Sequence, residues 1–152
     1  PPMVMFACNE PSGDADRKDS PSNIEATGEF VVNMATEALT NQMNASSATV
    51  PNDVDEFELA GLTAEPSQLV KAPRVAESPA HMECTFLKRV DLPSSNPAQR
   101  NEMIIGQVIG IHIRDEVLVD GLVDVTKFRP LARLGYMQYT VVEKVFTLDR
   151  PG

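Results

Sequence analysis

Two long β-type runs separated by a Pro/Ser/Asn-rich stretch constrain this chain more than any other feature. Ala80 to Val90 (AHMECTFLKRV) alternates for much of its length, polar His81, Glu83, Thr85 and Lys88 set against apolar Met82, Cys84 and Phe86. That period of two is the mark of a strand with one face on a core. Met103 to Arg114 (MIIGQVIGIHIR) is the strongest strand of the chain, and residues 92 to 100 between the two runs read as the tip of a long hairpin. Gly106 and Gly110 inside the second strand predict a bend, a bulge or a backbone brought close to a neighbour.

Further β-type runs surround this hairpin. Pro2 to Cys8 (PMVMFAC) reads as a buried strand, ended by a polar cluster rich in turn residues (Asn9, Pro11, Ser12, Gly13, Asp14). A short helix follows. Asp19 or Ser20 can cap it with Pro21 at the first helical position, or Ser22 can do so in a capping box with Glu25. Gly28 ends it as a left-handed cap, and the sequence turns at once into the strand EFVVNM, Glu29 to Met34. Thr36 to Ser47 has helical spacing, and Asp53 to Leu59 reads as a second short helix with its acids in the first turn. Gln68 to Val75, broken by Pro73, predicts an edge strand or an irregular stretch. Asp120-Gly121 signals a tight turn, and Val141 to Leu148 is a last apolar run. The expected fold is therefore mainly β, curled into a barrel, with a few short peripheral helices.

With 152 residues, the chain is long enough for one domain with one sizeable core. Its net charge of −9 repels nucleic acid and anionic lipid, and no basic stripe overrides it. No run reaches the ~18 apolar residues of a membrane span. With no apolar signal segment at the start, a cytoplasmic location is the default. Cys8 and Cys84 lie in apolar runs and read as packed free thiols, a disulfide being the unsupported alternative. His81 and His112 stand apart from any paired-ligand spacing, so no metal site is expected. The chain opens on Pro1 directly before a strand, which predicts that an N-terminal part of the natural domain lies upstream. The encoding gene's upstream reading frame tests that expectation.

One short block carries chemistry. Arg17-Lys18-Asp19-Ser20 sets a guanidinium fork, a point charge and a hydroxyl beside a helix start in an otherwise acidic chain. Those groups converge naturally on a phosphate. The bland alternative is a solvated loop whose charges serve solubility, with Asp19 capping backbone N–H groups.

PPMVMFACN followed by RKDSPSNIEATGEFVVN (residues 17 to 33) resembles the flavin reductase-like family of FMN-binding split-barrel proteins. VAESPAHMEC at 75 to 84, IIGQVIGIHIRDEVL at 104 to 118 and PLARLGYMQY at 130 to 139 agree with it in order. The resemblance implies a Greek-key split β-barrel, a single domain over residues 1–152 lacking its N-terminal strand segment, that dimerises with FMN near the subunit interface. It places Arg17, Lys18 and Ser20, with Asp19 among them, on the phosphate-binding loop, and Ala7, Cys8 and Asn9 at the strand end bordering the flavin ring. Arg133 and Tyr139 match a further pattern near the open face of the cofactor, although the chain has Gly135-Tyr136 where members often carry two glycines.

No side chain need act as acid, base or nucleophile, because hydride transfer is the flavin's own chemistry. With no GxGxxG run, NAD(P)H is expected as a transient co-substrate. The implied activity is NAD(P)H-dependent flavin reduction, with a homodimer and a partner monooxygenase or redox protein as expected associates. A flavoredoxin-type electron carrier without nicotinamide activity and a non-catalytic barrel scaffold are the alternatives.

Overall fold

The computed structural model describes residues 1–11, 19–51 and 53–152, with the backbone alone for residues 10 and 11. Among these the chain is mainly β with short helices, and it divides into two compact units. The first comprises Pro1–Val32, Glu65–Arg74 and His81–Ile111; the second comprises Asn33–Ala64, Val75–Ala80 and His112–Gly152.

The first unit is built on the predicted hairpin. Strand β1 (Met3–Pro11) leads to helix α1 (Asp19–Thr27) and strand β2 (Glu29–Asn33). Strands β3 (Ala64–Glu65) and β4 (Arg74–Val75) are two residues each, so the stretch expected as an edge strand or an irregular segment is almost wholly irregular. Strands β5 (Ala80–Leu92) and β6 (Gln99–Ile113) form the long hairpin, and the open four-stranded sheet runs β1-β6-β5-β2. β1 pairs antiparallel with β6 from Met3↔Gln107 to Pro11↔Gln99.

Alternation on this ladder sends Ile104 and Val108 into the core, with Val4 and Phe6 packed against it, while Met3 and Met5 stay exposed. β1 is thus one-sided rather than the fully buried strand its apolar run suggested. Ile24, Phe30 and Cys84 complete the core cluster. Each such large side chain contributes about 1.5 to 3 kcal/mol by leaving water. Phe30 meets Phe6 edge to face at 5.7 Å between ring centroids.

Gly106 explains how the Phe30 ring fits. A Cβ there would lie 2.4 Å from the Phe30 ring, so only glycine lets the ring rest on the strand backbone. At Gly110 a Cβ would lie 2.9 Å from Leu69 Cδ1, a close approach to a side chain that is 58% exposed and free to turn aside. Of the expectations for these two glycines, close approach of a neighbour is the one realised.

Asp19 and Ser20 are already helical in α1, so Pro21 is not its first helical residue; Pro21 and Ile24 are its buried residues. Gly28 ends it with φ 75°, its N–H donating to the Ile24 carbonyl at 2.8 Å.

In the second unit, the helix expected over 36 to 47 is instead a 3₁₀ turn, Glu37–Leu39, running into helix α2 (Thr40–Ala45). Hydroxyls cut it short: Ser46 Oγ donates to the Met43 carbonyl and Ser47 Oγ to that of Asn44, so backbone acceptors bond to side chains. Helix α3 (Glu56–Ala60) is capped by Asp55, which accepts from the Phe57 N–H at 2.8 Å, and ends at Gly61 with φ 66°. Strands β7 (Leu118–Val119) and β8 (Leu122–Val123) are joined by Asp120-Gly121, both with positive φ as the tight turn requires.

Helix α4 (Val125–Phe128) leads to Arg129, left-handed at φ 47°, and strands β9 (Leu131–Arg133) and β10 (Tyr139–Val141) form a final antiparallel ladder. The apolar run read over Val141 to Leu148 is a strand only at its first residue. Beyond it Val145, Phe146 and Leu148 are exposed without regular structure. No described strand pairs with this segment.

Candidate functional site

Ala7, Cys8 and Asn9 are consecutive within β1, which runs on to Pro11 rather than ending at Cys8 as its apolar run suggested, so they lie inside the strand and not at its end. Ala7 and Asn9 are exposed and Cys8 is half-buried; across the ladder they face Met103, Asn101 and Glu102 respectively. A small exposed side chain followed by an exposed amide suits a planar ligand edge lying along a strand. Asp19 and Ser20 open α1, with Asp19 half-buried and Ser20 exposed. Arg17 and Lys18 lie outside the described residues.

Beside these residues is a charge cluster that the sequence did not single out. Glu102 on β6 is 0% exposed, and its Oε2 lies 3.7 Å from Arg89 Nε and 4.0 Å from Arg100 Nε. Arg89 also donates through Nη1 to Glu25 of α1 at 2.8 Å. Both arginine side chains are about one-third exposed, at 34% and 31%. The cluster ties α1 to the hairpin strands and brings two fixed cations to the end of the sheet where β1 runs out. Arg100 faces Glu10 in the β1 register. Arg89 and Arg100 flank the hairpin tip in sequence, but nothing in their own neighbourhoods marks them as partners of a residue on β6.

A second buried carboxylate shapes the segment between β3 and β4. Glu83, also 0% exposed, accepts three consecutive backbone N–H groups: Gln68 at 2.9 Å, Leu69 at 2.6 Å and Val70 at 3.0 Å. His81 is 3% exposed. The alternation that placed His81 and Glu83 on a polar face was right, but that face is covered rather than wet.

Arg133 and Tyr139 are brought together. They are register partners in the β9–β10 ladder, with the Arg133 guanidinium carbon 5.7 Å from the Tyr139 ring centroid. Arg133 Nη2 also donates to the Tyr136 carbonyl at 3.3 Å. Tyr136, at the tip, has φ 57° and is 94% exposed. These residues belong to the second unit, whereas Ala7, Cys8 and Asn9 belong to the first.

Cys8 and Cys84 are free thiols. Burial pushes the Cys84 thiol up to about 11, so it stays protonated and serves as a small apolar core group. No cluster of metal-ligating side chains occurs among the described residues, and no described helix is long and apolar enough to cross a membrane.

Comparison with known proteins matches residues 1–132 to the flavin reductase like domain, and the chain belongs to that family. An uncharacterized protein of Halalkalibacterium halodurans is 32% identical over 151 residues, spanning 99% of this chain and 72% of its own length. The crystal structure of nitrilotriacetate monooxygenase component B from Bacillus cereus superposes with a TM-score of 0.82 at 26% identity, over 95% of this chain and 71% of that one. A protein of Shewanella frigidimarina with a split barrel domain superposes with a TM-score of 0.80 at 24% identity, over 99% of this chain and 72% of that one. The fold is accordingly of the split-barrel type; the sheets of the described residues are open.

Proposed function

We propose that this chain is one flavin reductase-like domain that binds FMN and uses it to pass hydride from NAD(P)H to a flavin or to a partner protein. The family match over residues 1–132 carries this reading. The donor set on β1 fits such a group. Ala7 leaves side-chain room, the Asn9 amide offers polar contacts at a ring edge, and the exposed Ser20 hydroxyl stands at the helix start. Bound FMN would supply the hydride chemistry, and the residues of this chain would hold and orient it. Arg17 and Lys18 would neutralise the phosphate and Ser20 would donate a hydrogen bond to it, with Asp19 beside them. Cys8, half-buried and paired with Glu102, would fix the strand against which the ring lies.

The same reading makes Arg133 and Tyr139 a candidate substrate contact, since a guanidinium stacked on a ring offers a flat cationic surface to nicotinamide or acceptor. Greek-key closure of the barrel, homodimerisation and a cytoplasmic setting belong to this proposal. A partner monooxygenase is suggested by the likeness to component B of a monooxygenase.

A titration of the purified chain with FMN, followed by quenching of flavin fluorescence, tests the cofactor. Saturable binding is expected, and Lys18→Ala is expected to weaken it by about one to three kcal/mol. Unchanged affinity would remove Lys18 from the phosphate site. NADH consumption with excess FMN tests the activity, and turnover no faster than the protein-free blank would leave a flavoprotein electron carrier or a scaffold in its place.

A further inference from the structure

The second unit contains a cavity of about 200 Å³ that the flavin reading does not use. Its walls are mainly apolar: Met34, Leu39, Met43 and Leu62 line it, so two thioethers face one small space. Most of the polar groups on the wall are engaged by the protein itself. Asn33 Oδ1 accepts from the Val75 N–H at 2.8 Å, Ser78 Oγ lies 2.9 Å from the Met34 carbonyl, and Ser46 Oγ donates to Met43 at 3.0 Å.

Gln42 differs. It lines the same cavity, and its Oε1 is buried with no hydrogen-bond partner among the described residues. A buried amide oxygen left unpaired costs about 1 to 3 kcal/mol and calls for a donor. The pocket therefore combines an apolar, sulfur-rich wall with one unsatisfied acceptor, the pattern of a small-molecule site with a single orienting group. An apolar cavity of ~150 Å³ accommodates a benzene ring, so this one has room for a ring and a short substituent. Thioether sulfurs favour aromatic edges over aliphatic chains.

We infer that this cavity binds a single-ring aromatic or heteroaromatic molecule bearing an N–H or O–H donor, which it presents to Gln42. The site lies wholly within the second unit and does not depend on flavin binding.

The test compares benzamide with methyl benzoate, which has nearly the same shape but no donor. Each is titrated into the full chain without flavin, following the methyl resonances of Met34 and Met43 against the exposed Met3 and Met5 as internal controls. Expected are saturable shifts confined to Met34 and Met43, with benzamide binding at least fivefold more tightly. Gln42→Met should bring the two probes within twofold of each other, and Leu62→Phe, which fills the space, should abolish both responses. Absence of saturable shifts would show a water-filled or empty gap and overturn the inference. Equal affinity of the two probes in the unaltered chain would overturn it as well, and that comparison stands even where a variant fails to fold.

Discussion

Glu83 and Glu102 are both fully buried in neighbouring strands of one sheet, yet they are satisfied in opposite ways. Glu83 accepts three backbone N–H groups from Gln68 to Val70 at hydrogen-bonding distance. Glu102 Oε2 has two guanidinium groups at 3.7 and 4.0 Å, close enough for Coulomb attraction and too long for a hydrogen bond from either Nε. The amides around Glu83 have no other described route to an acceptor. Arg89 and Arg100, each about one-third exposed, can turn to water. The same residue type therefore holds backbone amides at one place and partly exposed side chains at the other. Burial alone does not set the worth of a charge; what its partners can do without it does.

That contrast yields a ranked series, each member read by circular dichroism in urea, since the chain has no Trp to report by fluorescence. Glu83→Ala should have the largest effect. It leaves three N–H groups without their acceptor, that of Val70 buried and those of Gln68 and Leu69 in part-buried bonds, and at roughly 1 to 3 kcal/mol for a buried donor left unpaired the loss is about 2 to 3 kcal/mol. A loss under about 1 kcal/mol would mean that water replaces the carboxylate, and the comparison would collapse. Glu102→Gln should cost less, about 1 to 2 kcal/mol, because a pair whose cations stay partly solvated lacks the full penalty of a broken buried pair. Its effect should also shrink in high salt while that of Glu83→Ala does not. Equal salt dependence of the two variants would contradict the assignment.

The smallest effect belongs to the exposed counterpart in the second unit. Glu37 accepts from Arg129 Nε at 2.6 Å, and Arg129 Nη2 donates to Glu143 at 2.7 Å. The hydrogen bond from Arg129 is the main cause that holds the Glu37 carboxyl below its usual 4.5. A depressed carboxyl pKa stabilises the fold above the unfolded value, and that contribution fades as pH falls through the folded one. Stability should therefore decline below about pH 4.5 more steeply for the unaltered chain than for Glu37→Gln. Parallel acid limbs would show that the Arg129 cluster contributes nothing to the fold.

Much of this architecture could be read from local pattern. The β5–β6 hairpin follows from period-two alternation, the end of α1 from Gly28, and α3 from its acidic first turn and Gly61. Each of those signals is decided within a few residues of itself. Gly106 and Gly110 were also legible as marks of close approach, although only the fold supplies Phe30 and Leu69 as the neighbours. The features that escaped are long-range. His81 and Glu83 alternate as polar residues, and only the fold shows that they are buried, Glu83 by bonding to a segment 13 to 15 positions earlier. The Arg89–Glu102 contact joins two strands, and the Glu25 contact reaches 64 residues along the chain. Of the candidate site, Ala7 and Cys8 could be placed on a strand, but not that the strand runs on past Asn9 to Pro11, and that Arg133 and Tyr139 are partners in one ladder was not legible. Gln42 carried no signal, since an unpaired oxygen is a property of its surroundings.

The three amides held by Glu83 have a consequence for motion. They are consecutive in the chain and share one acceptor group, so the segment cannot release one of them by fraying inward from an end, as a helix or ladder does. Either the carboxylate is seated and all three are protected from exchange with solvent deuterium, or it has left and all three are open. Residues 68 to 70 thus behave as a single latch, in an otherwise irregular stretch where independent, residue-by-residue opening would be the norm.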